Sequence, residues 1–532
     1  MKMNFKPLAI AAAVTAVTAG YAGTANAQGP SGDPIRAIGQ LGDVAVVPYY
    51  TVQDNWITGV HITNTSDRTQ VVKLRLRRAT DSADALDFNL IMSPKDVWTG
   101  YLENTSGKVV FNTDDKTCTA PIRADGKFEM PFIYATGAEE GYIEVIGMGS
   151  PITEKQPIAL AALHNALGVP ANCTAVASNF FAGGSSVAKG IIDHNESTQA
   201  GACPGTPAPA LCSNTYNDGG NALKVSYFFR DADSGTEMGN NAVHIADASD
   251  NAWMSNQEFG LFSGDVTGFD YPDLNGGPLL SGDRGLFNQL RASAVLGVSQ
   301  MQNDWSVNTA NGVSTDWVVT MPGQYTMLDY TVWAQNGFNP ANCGKLDNPT
   351  TAIDDGVPQC DFRDIPVEAS LTLYDREEGE ITPADGDLVI SPAPPGVENK
   401  LIFPYEVNVV EWTDGSTVPV LGSSYATSVD ASPLGAYGWA SLSLSSGKKV
   451  ATQNNTPSPD ANSNGQAVCE ATPFKAPYLA TPSNNQRDNT CVPATGSVPV
   501  VGFVAWQRKL PSNPDASYGR LVEHSFTAGS AM

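Results

Sequence analysis

The sequence is poor in basic residues and poorer still in histidine. Lysine and arginine number 30 against 55 aspartates and glutamates, which gives a formal net charge of −25, and there are five histidines. Because a chain this acidic is repelled by nucleic-acid phosphates, we predict no nucleic-acid partner. The histidines are scattered and no Cys-x-x-Cys pair occurs, so the ligand spacing of a zinc site is missing.

Catalytic and membrane-spanning patterns are missing as well. The chain has no Gly-x-Ser-x-Gly, no His-Glu-x-x-His, and no glycine motif for phosphate or dinucleotide binding. After the first residues, no apolar run approaches the ~20 residues that a spanning helix needs. We therefore expect a non-catalytic protein with no organic cofactor and no transmembrane helix in the mature chain.

The first residues have the pattern of an export signal. A short basic start precedes an uncharged apolar run at residues 8–17, and small residues at Ala25 and Ala27 mark a cleavage position. This pattern is typical of bacterial signal peptides. We predict that residues 1–27 are removed and that the protein works in the periplasm, at the outer cell surface or outside a Gram-negative cell.

Export makes disulfides the favoured interpretation of the eight cysteines, because disulfides persist in oxidising compartments. Many pairings remain open, and bonding between sequence neighbours is the simplest of them. Such bridges would close long loops whose entropy otherwise opposes folding. The pairs predicted in this way are Cys118 with Cys173, Cys203 with Cys212, Cys343 with Cys360, and Cys469 with Cys491.

Short β-type runs separated by Asn, Asp, Gly, Ser and Pro dominate the mature chain. At residues 71–77, apolar and basic residues alternate with period two, which predicts a buried face and a solvated face carrying Lys73, Arg75 and Arg77. Such runs predict a mainly β fold. We expect an antiparallel β-sandwich of immunoglobulin-like or jelly-roll-like architecture with long disulfide-stapled loops.

Two segments have helical periodicity instead. Residues 158–169 carry apolar side chains near helical spacing before a proline ends the pattern, and residues 286–301 are the second candidate. One or two short helices are therefore expected. The predicted domains are an N-terminal β-sandwich at residues 28–150 and a second β-rich domain, or domains, with long loops at residues 151–532.

Several short runs spread over most of the mature chain carry a resemblance. They are Leu41-Gly42-Asp43-Val44, Asp87-Phe88-Asn89-Leu90 with Ser93-Pro94, Asp96-Val97-Trp98-Thr99-Gly100, Asp316-Trp317-Val318-Val319, Asp375-Arg376-Glu377-Glu378, and Val500-Val501-Gly502-Phe503 with Tyr518-Gly519-Arg520-Leu521. These runs resemble a loosely defined group of large exported proteins of Gram-negative bacteria that has no assigned activity. The resemblance implies a secreted or surface location, and no functional residue is carried over from it.

One short segment carries acidic side chains at alternating positions around a glycine. Asp231, Asp233 and Glu237 offer the oxygen ligands that calcium prefers, and Gly235 lets the backbone turn. The segment departs from an EF-hand, because the glycine falls at the fifth loop position and an alanine at the twelfth. An ordinary turn has the same composition, so a calcium site and a solvated turn are both hypotheses.

Nine tryptophans suggest carbohydrate binding, because an exposed aromatic face can stack on a sugar ring. Most lie in apolar runs, as Trp317 and Trp506 do, which favours core packing. Trp56 and Trp253 follow polar turn residues and are the predicted stacking residues. The acidic cluster at residues 375–380 offers carboxyl pairs of the kind a glycosidase uses, although a solvated turn is favoured there.

Three classes of function remain. The first is an exported, non-catalytic surface or extracellular protein with a structural or adhesive role, whose partner is a cell-surface or extracellular polymer or protein. The second is a carbohydrate-binding or carbohydrate-active protein, and the third is an outer-membrane-associated protein. We expect the first class, because the signal pattern, the strand rhythm and the missing catalytic motifs all agree with it.

Overall fold

The computed structural model describes two large parts of the chain and several short pieces. These are residues 34–80, 82, 84–130, 137–180, 216–248, 252, 274, 277–278, 287–288, 295–322, 367–377, 380–381, 401–446, 451–452, 490–491 and 498–528. The predicted signal segment therefore lies outside the described residues.

The first part of the chain contains fourteen described strands and two short helices. The strands are β1 (Ile35–Arg36), β2 (Val44–Thr51), β3 (Trp56–Asn64), β4 (Gln70–Arg78), β5 (Asp84–Met92), β6 (Val97–Thr105), β7 (Lys108–Asn112), β8 (Cys118–Ala120), β9 (Lys127–Glu129), β10 (Glu140–Pro151), β11 (Tyr216–Asn217), β12 (Leu223–Asp231), β13 (Glu237–Asn241) and β14 (Val243–Ala246). The helices are α1 (Pro157–Ala162) and α2 (Cys173–Phe180).

The remaining described strands follow in the second part. They are β15 (Gly277–Pro278), β16 (Phe287–Asn288), β17 (Gly297–Ser306), β18 (Val313–Thr320), β19 (Val367–Tyr374), β20 (Glu380–Ile381), β21 (Leu401–Phe403), β22 (Val407–Thr413), β23 (Ala426–Asp430), β24 (Tyr437–Ser446), β25 (Ala451–Thr452), β26 (Thr490–Cys491), β27 (Val498–Pro499), β28 (Val501–Arg508), β29 (Tyr518–Glu523) and β30 (Ser525–Ala528). The fold is mainly β, as predicted, and among the described pairs only β22 and β23 run parallel.

Two sheets form the first half of the molecule. One has the order β1-β14-β2-β10-β4-β5-β8, with β11 paired to β10, and the other has the order β13-β12-β3-β6-β7-β9. Facing side chains form a shared core, in which Phe88 of β5 stacks on Phe128 of β9 with ring centroids 4.1 Å apart. Trp98 of β6 meets Phe88 edge-on at 6.0 Å. Aromatic contacts of this kind add about 0.5–1.5 kcal/mol each to the effect of burial.

Two further sheets form the second half. Their orders are β20-β19-β24-β17-β27, with β21 on β19 and β30 on β17, and β23-β22-β18-β28-β29. Three buried indoles join them. Trp305 of β17 stacks on Trp412 of β22 with centroids 5.6 Å apart, and Trp317 of β18 meets Trp412 edge-on at 5.1 Å. The short pairs β15–β16 and β25–β26 stand apart from these sheets.

The two halves share core side chains and hydrogen bonds. Phe503 of β28 packs against Tyr227 and Phe229 of β12 at centroid distances of 5.9 and 5.7 Å. The Val407 amide donates to the Ala79 carbonyl at 3.0 Å. One buried cluster therefore contains residues from both halves.

The solvated face predicted for β4 is wrong. Lys73, Arg75 and Arg77 are 0% exposed, like the apolar residues of the strand. Asp87 of β5 lies 3.9 Å from Lys73 Nζ and 4.0 Å from Arg75 Nη2, and Glu144 of β10 lies 3.3 Å from Arg77 Nε. Period-two alternation separates the two faces of a strand, but it does not tell whether the polar face meets water or protein.

The helix predictions are right in part. Helix α1 begins at Pro157, one residue before the predicted segment at 158–169, and ends at Ala162 because the backbone of Leu163 becomes extended. The predicted helix at residues 286–301 is wrong where it is described, since β17 begins at Gly297 and pairs with β24. The described part contains two short α helices, which agrees with the expected number.

The first predicted disulfide is confirmed. Cys118 of β8 is bonded to Cys173 of α2. Cys203, Cys212, Cys343, Cys360 and Cys469 lie outside the described residues, and of Cys491 only the backbone is described. The long stapled loops therefore stay a prediction.

The first half extends past the predicted domain boundary at residue 150. Strand β10 pairs with β11, and β3 pairs with β12, so residues 216–246 complete the first two sheets. Local sequence pattern locates strands but not their partners. A boundary drawn from the pattern alone therefore divides a unit that tertiary pairing holds together.

Candidate functional site

A groove opens at one end of the second half, where β17, β19 and β28 end and β24 and β29 begin. It encloses about 870 Å³, within the range of about 300–1,000 Å³ that is typical of small-molecule sites. Five aromatic and four charged residues line it, namely Trp305, Tyr437, Trp439, Trp506, Tyr518, Asp304, Asp375, Arg376 and Arg520. We call this surface the aromatic groove.

Trp439 and Tyr374 form an aromatic platform in the groove. Strands β24 and β19 pair so that these residues lie directly opposite each other, and their rings stack with centroids 4.0 Å and planes 8° apart. Trp439 is nevertheless 41% exposed. On its other side Trp439 pairs with Asp304 of β17. Strand register therefore brings a carboxylate next to an exposed indole.

Arg520 is the centre of a polar network that forms a second part of the groove. The Arg520 guanidinium lies 5.2 Å from the centroid of the Trp506 ring, and its Nη2 lies 3.4 Å from Asp304 Oδ2. Trp506 Nε1 donates to Ser306 Oγ at 2.6 Å, which fixes the indole, and Tyr518 packs on the same indole at 5.6 Å. The ion pair is about half-exposed, so its polar atoms remain accessible and it adds little to stability.

A second guanidinium lies near the end of β19. Arg376 lies over the exposed ring of Tyr437, with its central carbon 5.7 Å from the ring centroid. Gly438 follows Tyr437 and lines the groove. A Cβ at Gly438 would meet the Tyr374 carbonyl oxygen at 2.1 Å and Trp305 Cζ2 at 2.6 Å, so the packing admits no side chain there.

The groove combines flat apolar surface with hydrogen-bonding groups of both kinds. Aromatic faces attract the apolar faces of sugar rings. The carboxylates of Asp304 and Asp375 accept hydrogen bonds from hydroxyl groups, and the guanidinium groups of Arg376 and Arg520 donate to them. This set of groups suits a flat ligand that is rich in hydroxyls.

A serine, a histidine and an aspartate meet in the first half, but not as a catalytic triad. Ser93 Oγ lies 2.8 Å from His164 Nδ1, and Asp96 Oδ2 lies 3.7 Å from the same nitrogen. In a triad the serine and the carboxylate contact different ring nitrogens, so that the imidazole can take the proton. Burial raises the pKa of Asp96, and the neighbouring His164 opposes this shift. With Ser93 buried, the cluster is structural.

The acidic segment predicted to bind calcium lies between β12 and β13. The Asp231 carboxylate accepts from the Asp233 amide at 3.0 Å and from the Ser234 hydroxyl at 2.7 Å, while Asp233 accepts from Asn55 Nδ2 at 2.7 Å. Glu237 is exposed at the start of β13. Within the described residues, no group of three or more metal-ligating side chains lies together. The calcium hypothesis stays a prediction, which melting with calcium or EDTA would test.

Of the two predicted stacking residues, only Trp56 lies in the described part of the chain, and it does not line the groove. Trp56 is 7% exposed and packs in the core, so its ring is not available to a ligand. Trp253 lies outside the described residues. Trp317 is fully buried, as its apolar run predicts. Trp506, for which the sequence also favours core packing, is partly exposed and lines the groove.

Sequence reasoning missed most of the groove because its residues come from separate strands. One signal was present: Tyr437-Gly438-Trp439 has two aromatic residues two positions apart, and these lie at the start of β24. The described residues of the acidic cluster at 375–380 differ in their relation to the groove. Asp375 lines the groove, whereas Glu377 is exposed and donates its amide to Asp375 Oδ1 at 2.9 Å.

Comparison with known proteins identifies no relative. No protein family, no curated protein and no solved structure matches this chain. In the described part of the chain, no helix is both long and apolar enough to cross a membrane.

Proposed function

We propose that this chain is an exported, non-catalytic protein that binds carbohydrate in the aromatic groove. The observation that carries the proposal is the exposed indole of Trp439, stacked on Tyr374 and paired with Asp304. Exposing apolar surface costs about 25 cal/mol per Å². Several exposed rings gathered at one place are therefore typical of a binding site.

The charges of the groove favour a sugar over an apolar ligand. An apolar molecule seated on Trp439 would cover the polar atoms of Asp304 and Arg520 without replacing their bonds to water, which costs free energy. The hydroxyls of a sugar satisfy both side chains, because a hydroxyl can donate a hydrogen bond to Asp304 and accept one from Arg520. A ligand with an apolar ring face and polar edges matches both parts of the surface.

Binding without hydrolysis fits the openness of the groove. A glycosidase keeps one carboxyl group protonated at neutral pH, which requires a buried apolar environment. Asp304 is about half-exposed and Asp375 is partly exposed. The groove thus resembles an open recognition surface more than a closed reaction chamber.

The proposal includes a finer description of the fold, in which each half is a β-sandwich with long disulfide-stapled loops. Antiparallel pairing and stacked rings between sheets, such as Phe88 on Phe128 and Trp305 on Trp412, support it. Jelly-roll domains include lectins. This likeness concerns architecture alone, and the argument for sugar binding comes from the groove.

The proposal also includes export. The signal-like residues 1–27 support it, and so does the bond between Cys118 and Cys173, since disulfides persist mainly outside the cytoplasm. Cell fractionation with intact-mass analysis tests this part. We expect a mass beginning at Gln28 in the periplasm, on the surface or in the medium, whereas a full-length cytoplasmic chain would contradict it.

Retention on a polysaccharide array, followed by titration calorimetry, tests the binding. We expect Trp439→Ala to weaken binding about tenfold or more, as loss of a central aromatic contact commonly does. Tyr101→Ala is the matched control, because Tyr101 of β6 is 40% exposed but lies in the first half. Equal retention of the parent chain and Trp439→Ala would count against the proposal.

A further inference from the structure

We infer that the aromatic groove prefers an anionic sugar and that Arg376 makes the contact that distinguishes it from a neutral one. The inference rests on the proposed function, because it names the class of carbohydrate that this groove binds. The two guanidinium groups of the groove have unequal surroundings.

Arg520 has a salt-bridge partner, whereas Arg376 has none among the residues that the structure describes. Arg520 lies 3.4 Å from Asp304, so both charges are balanced before any ligand binds. In the segments that the structure describes, no carboxylate comes within salt-bridge distance of Arg376, which lies over the Tyr437 ring. Asp375, its neighbour in the chain, accepts a hydrogen bond from the backbone amide of Glu377. Arg376 therefore keeps its positive charge available at the groove.

A guanidinium is suited to recognising an anion. Its planar fork of N–H donors matches the two oxygens of a carboxylate or a sulfate, and this bidentate bond is stronger than a neutral one. Contact with an aromatic face leaves the in-plane donors free for such a bond. Arg376 is exposed, so a ligand reaches it without rearranging the core.

The strand register determines how far this charge lies from the platform. Trp439 and Tyr437 lie two residues apart in β24, and Arg376, in the turn that follows β19, lies over the Tyr437 ring. Two residues of an extended strand span about 7 Å. That length is comparable to one sugar ring, so a ring seated on Trp439 brings its own charged substituent, or that of the next ring, to Arg376.

The net charge of the chain restricts the attraction of an anionic sugar to short distances from Arg376. A formal charge of −25 repels an anionic polymer from a distance. At physiological salt this repulsion is screened beyond about 8 Å. Within the groove the contact with Arg376 acts at short range, while Arg520 balances the charge of Asp304.

Titration calorimetry with ligands that differ only in charge tests the inference. Oligogalacturonate is compared with its methyl ester, and dextran sulfate with dextran, all at physiological salt. We expect the anionic member of a pair to bind about tenfold more tightly, the size of one charge-assisted contact. Arg376→Gln should remove this preference, and Arg376→Lys should keep part of it. Arg123→Gln, at an exposed site in the first half, is the matched control.

The outcomes separate the inference from the proposed function. Equal affinity within both pairs, or a preference that survives Arg376→Gln, overturns the inference and leaves carbohydrate binding in place. Failure of all four probes and of the polysaccharide array overturns both. A preference for the sulfated over the carboxylated polymer, lost in Arg376→Gln, supports the inference and identifies the anion.

Discussion

Ser423 and Glu140 join the two halves of the molecule, because the Ser423 hydroxyl donates to Glu140 Oε2 at 2.5 Å across 283 positions of sequence. The Ser424 amide donates to the other carboxylate oxygen at 2.7 Å, and the Tyr49 hydroxyl donates to Oε2 at 2.5 Å. Glu140 is completely buried. One carboxylate thus accepts hydrogen bonds from both halves at their junction.

Removing this carboxylate should destabilise the whole chain. Glu140→Ala leaves three hydrogen-bond donors without their acceptor, two of them on buried residues, and we expect a loss of about 3 kcal/mol or more. Ser423→Ala removes one bond and should cost about 1–2 kcal/mol. Denaturant unfolding measures both. Glu129→Ala is the control, since its ion pair with Lys108 is exposed and contributes about 1 kcal/mol or less. Equal losses at Glu140 and Glu129 would contradict the assignment.

Asp316 should make the fold less stable as the pH rises. Burial raises its pKa to about 8, with the charge of Glu411 acting in the same direction, although the Leu421 amide donates to its Oδ2 at 2.8 Å. Below pH 4 the carboxyl is protonated in both the folded and the unfolded chain. Between about pH 4 and pH 8 only the folded chain holds the proton, so stability falls by about 1.4 kcal/mol per pH unit.

Asp316→Asn removes that dependence and is the variant that tests it. Its stability advantage over the parent chain should grow by about 2–3 kcal/mol from pH 5 to pH 7, in denaturant unfolding at each pH. Asp515→Asn, at an exposed position, should leave the difference constant. An advantage of Asp316→Asn that does not change with pH would show that the carboxyl is charged in the folded chain.

His524 should make the fold less stable as the pH falls, which is the opposite of the effect of Asp316. Burial lowers its pKa to about 4, and its ring lies against Trp317 with Nε2 at 3.0 Å from the Val318 carbonyl oxygen. As the pH falls from 6.5 towards 4, the unfolded chain binds a proton that the folded chain does not. Stability is therefore complete above pH 6.5 and is lost below it by about 1.4 kcal/mol per pH unit.

Comparing the parent chain with His524→Asn between pH 6.5 and pH 5 isolates this contribution. The parent should lose more stability than the variant over that interval, whatever the other groups do. His244, whose pKa burial also lowers to about 4, gives a second test in the first half. Parallel pH profiles for parent and variants would refute the prediction.

The Cys118–Cys173 bond should stabilise the first half. It links residues 55 positions apart and therefore restricts the unfolded chain, an effect of about 2–4 kcal/mol. The double variant Cys118→Ala, Cys173→Ala should show this loss in denaturant unfolding under oxidising conditions. The predicted bond between Cys203 and Cys212 closes a much shorter loop, so the corresponding double variant should lose less. A larger loss at the second pair would contradict this ordering.

Individual strands were predictable because their signals are local. The run of alternating residues at 71–77, for example, lies within β4. Alternating side chains and turn residues act over fewer than ten positions, which a sequence displays directly. The wrong helix at 286–301 shows the limit of this reasoning, because β17 satisfies its hydrogen bonds with β24, far along the chain.

The groove and the charges of β4 depend on which strands become neighbours. Arg520 meets Asp304 across 216 positions, and Tyr374 meets Trp439 only because β19 pairs with β24. Arg75 and Arg77 look solvent-facing in the sequence, yet the fold buries them beside Glu144.

The sequence alone determined the class of fold and the positions of many strands, because both follow from residue type and spacing along the chain. It left the cysteine pairings open, and the structure confirms the simplest of them for Cys118 and Cys173. Tertiary structure alone decided the junction at Glu140, the burial of Trp56 and the assembly of the aromatic groove. Strand pairing brings distant residues into contact, and no short-range pattern specifies the partner of each strand.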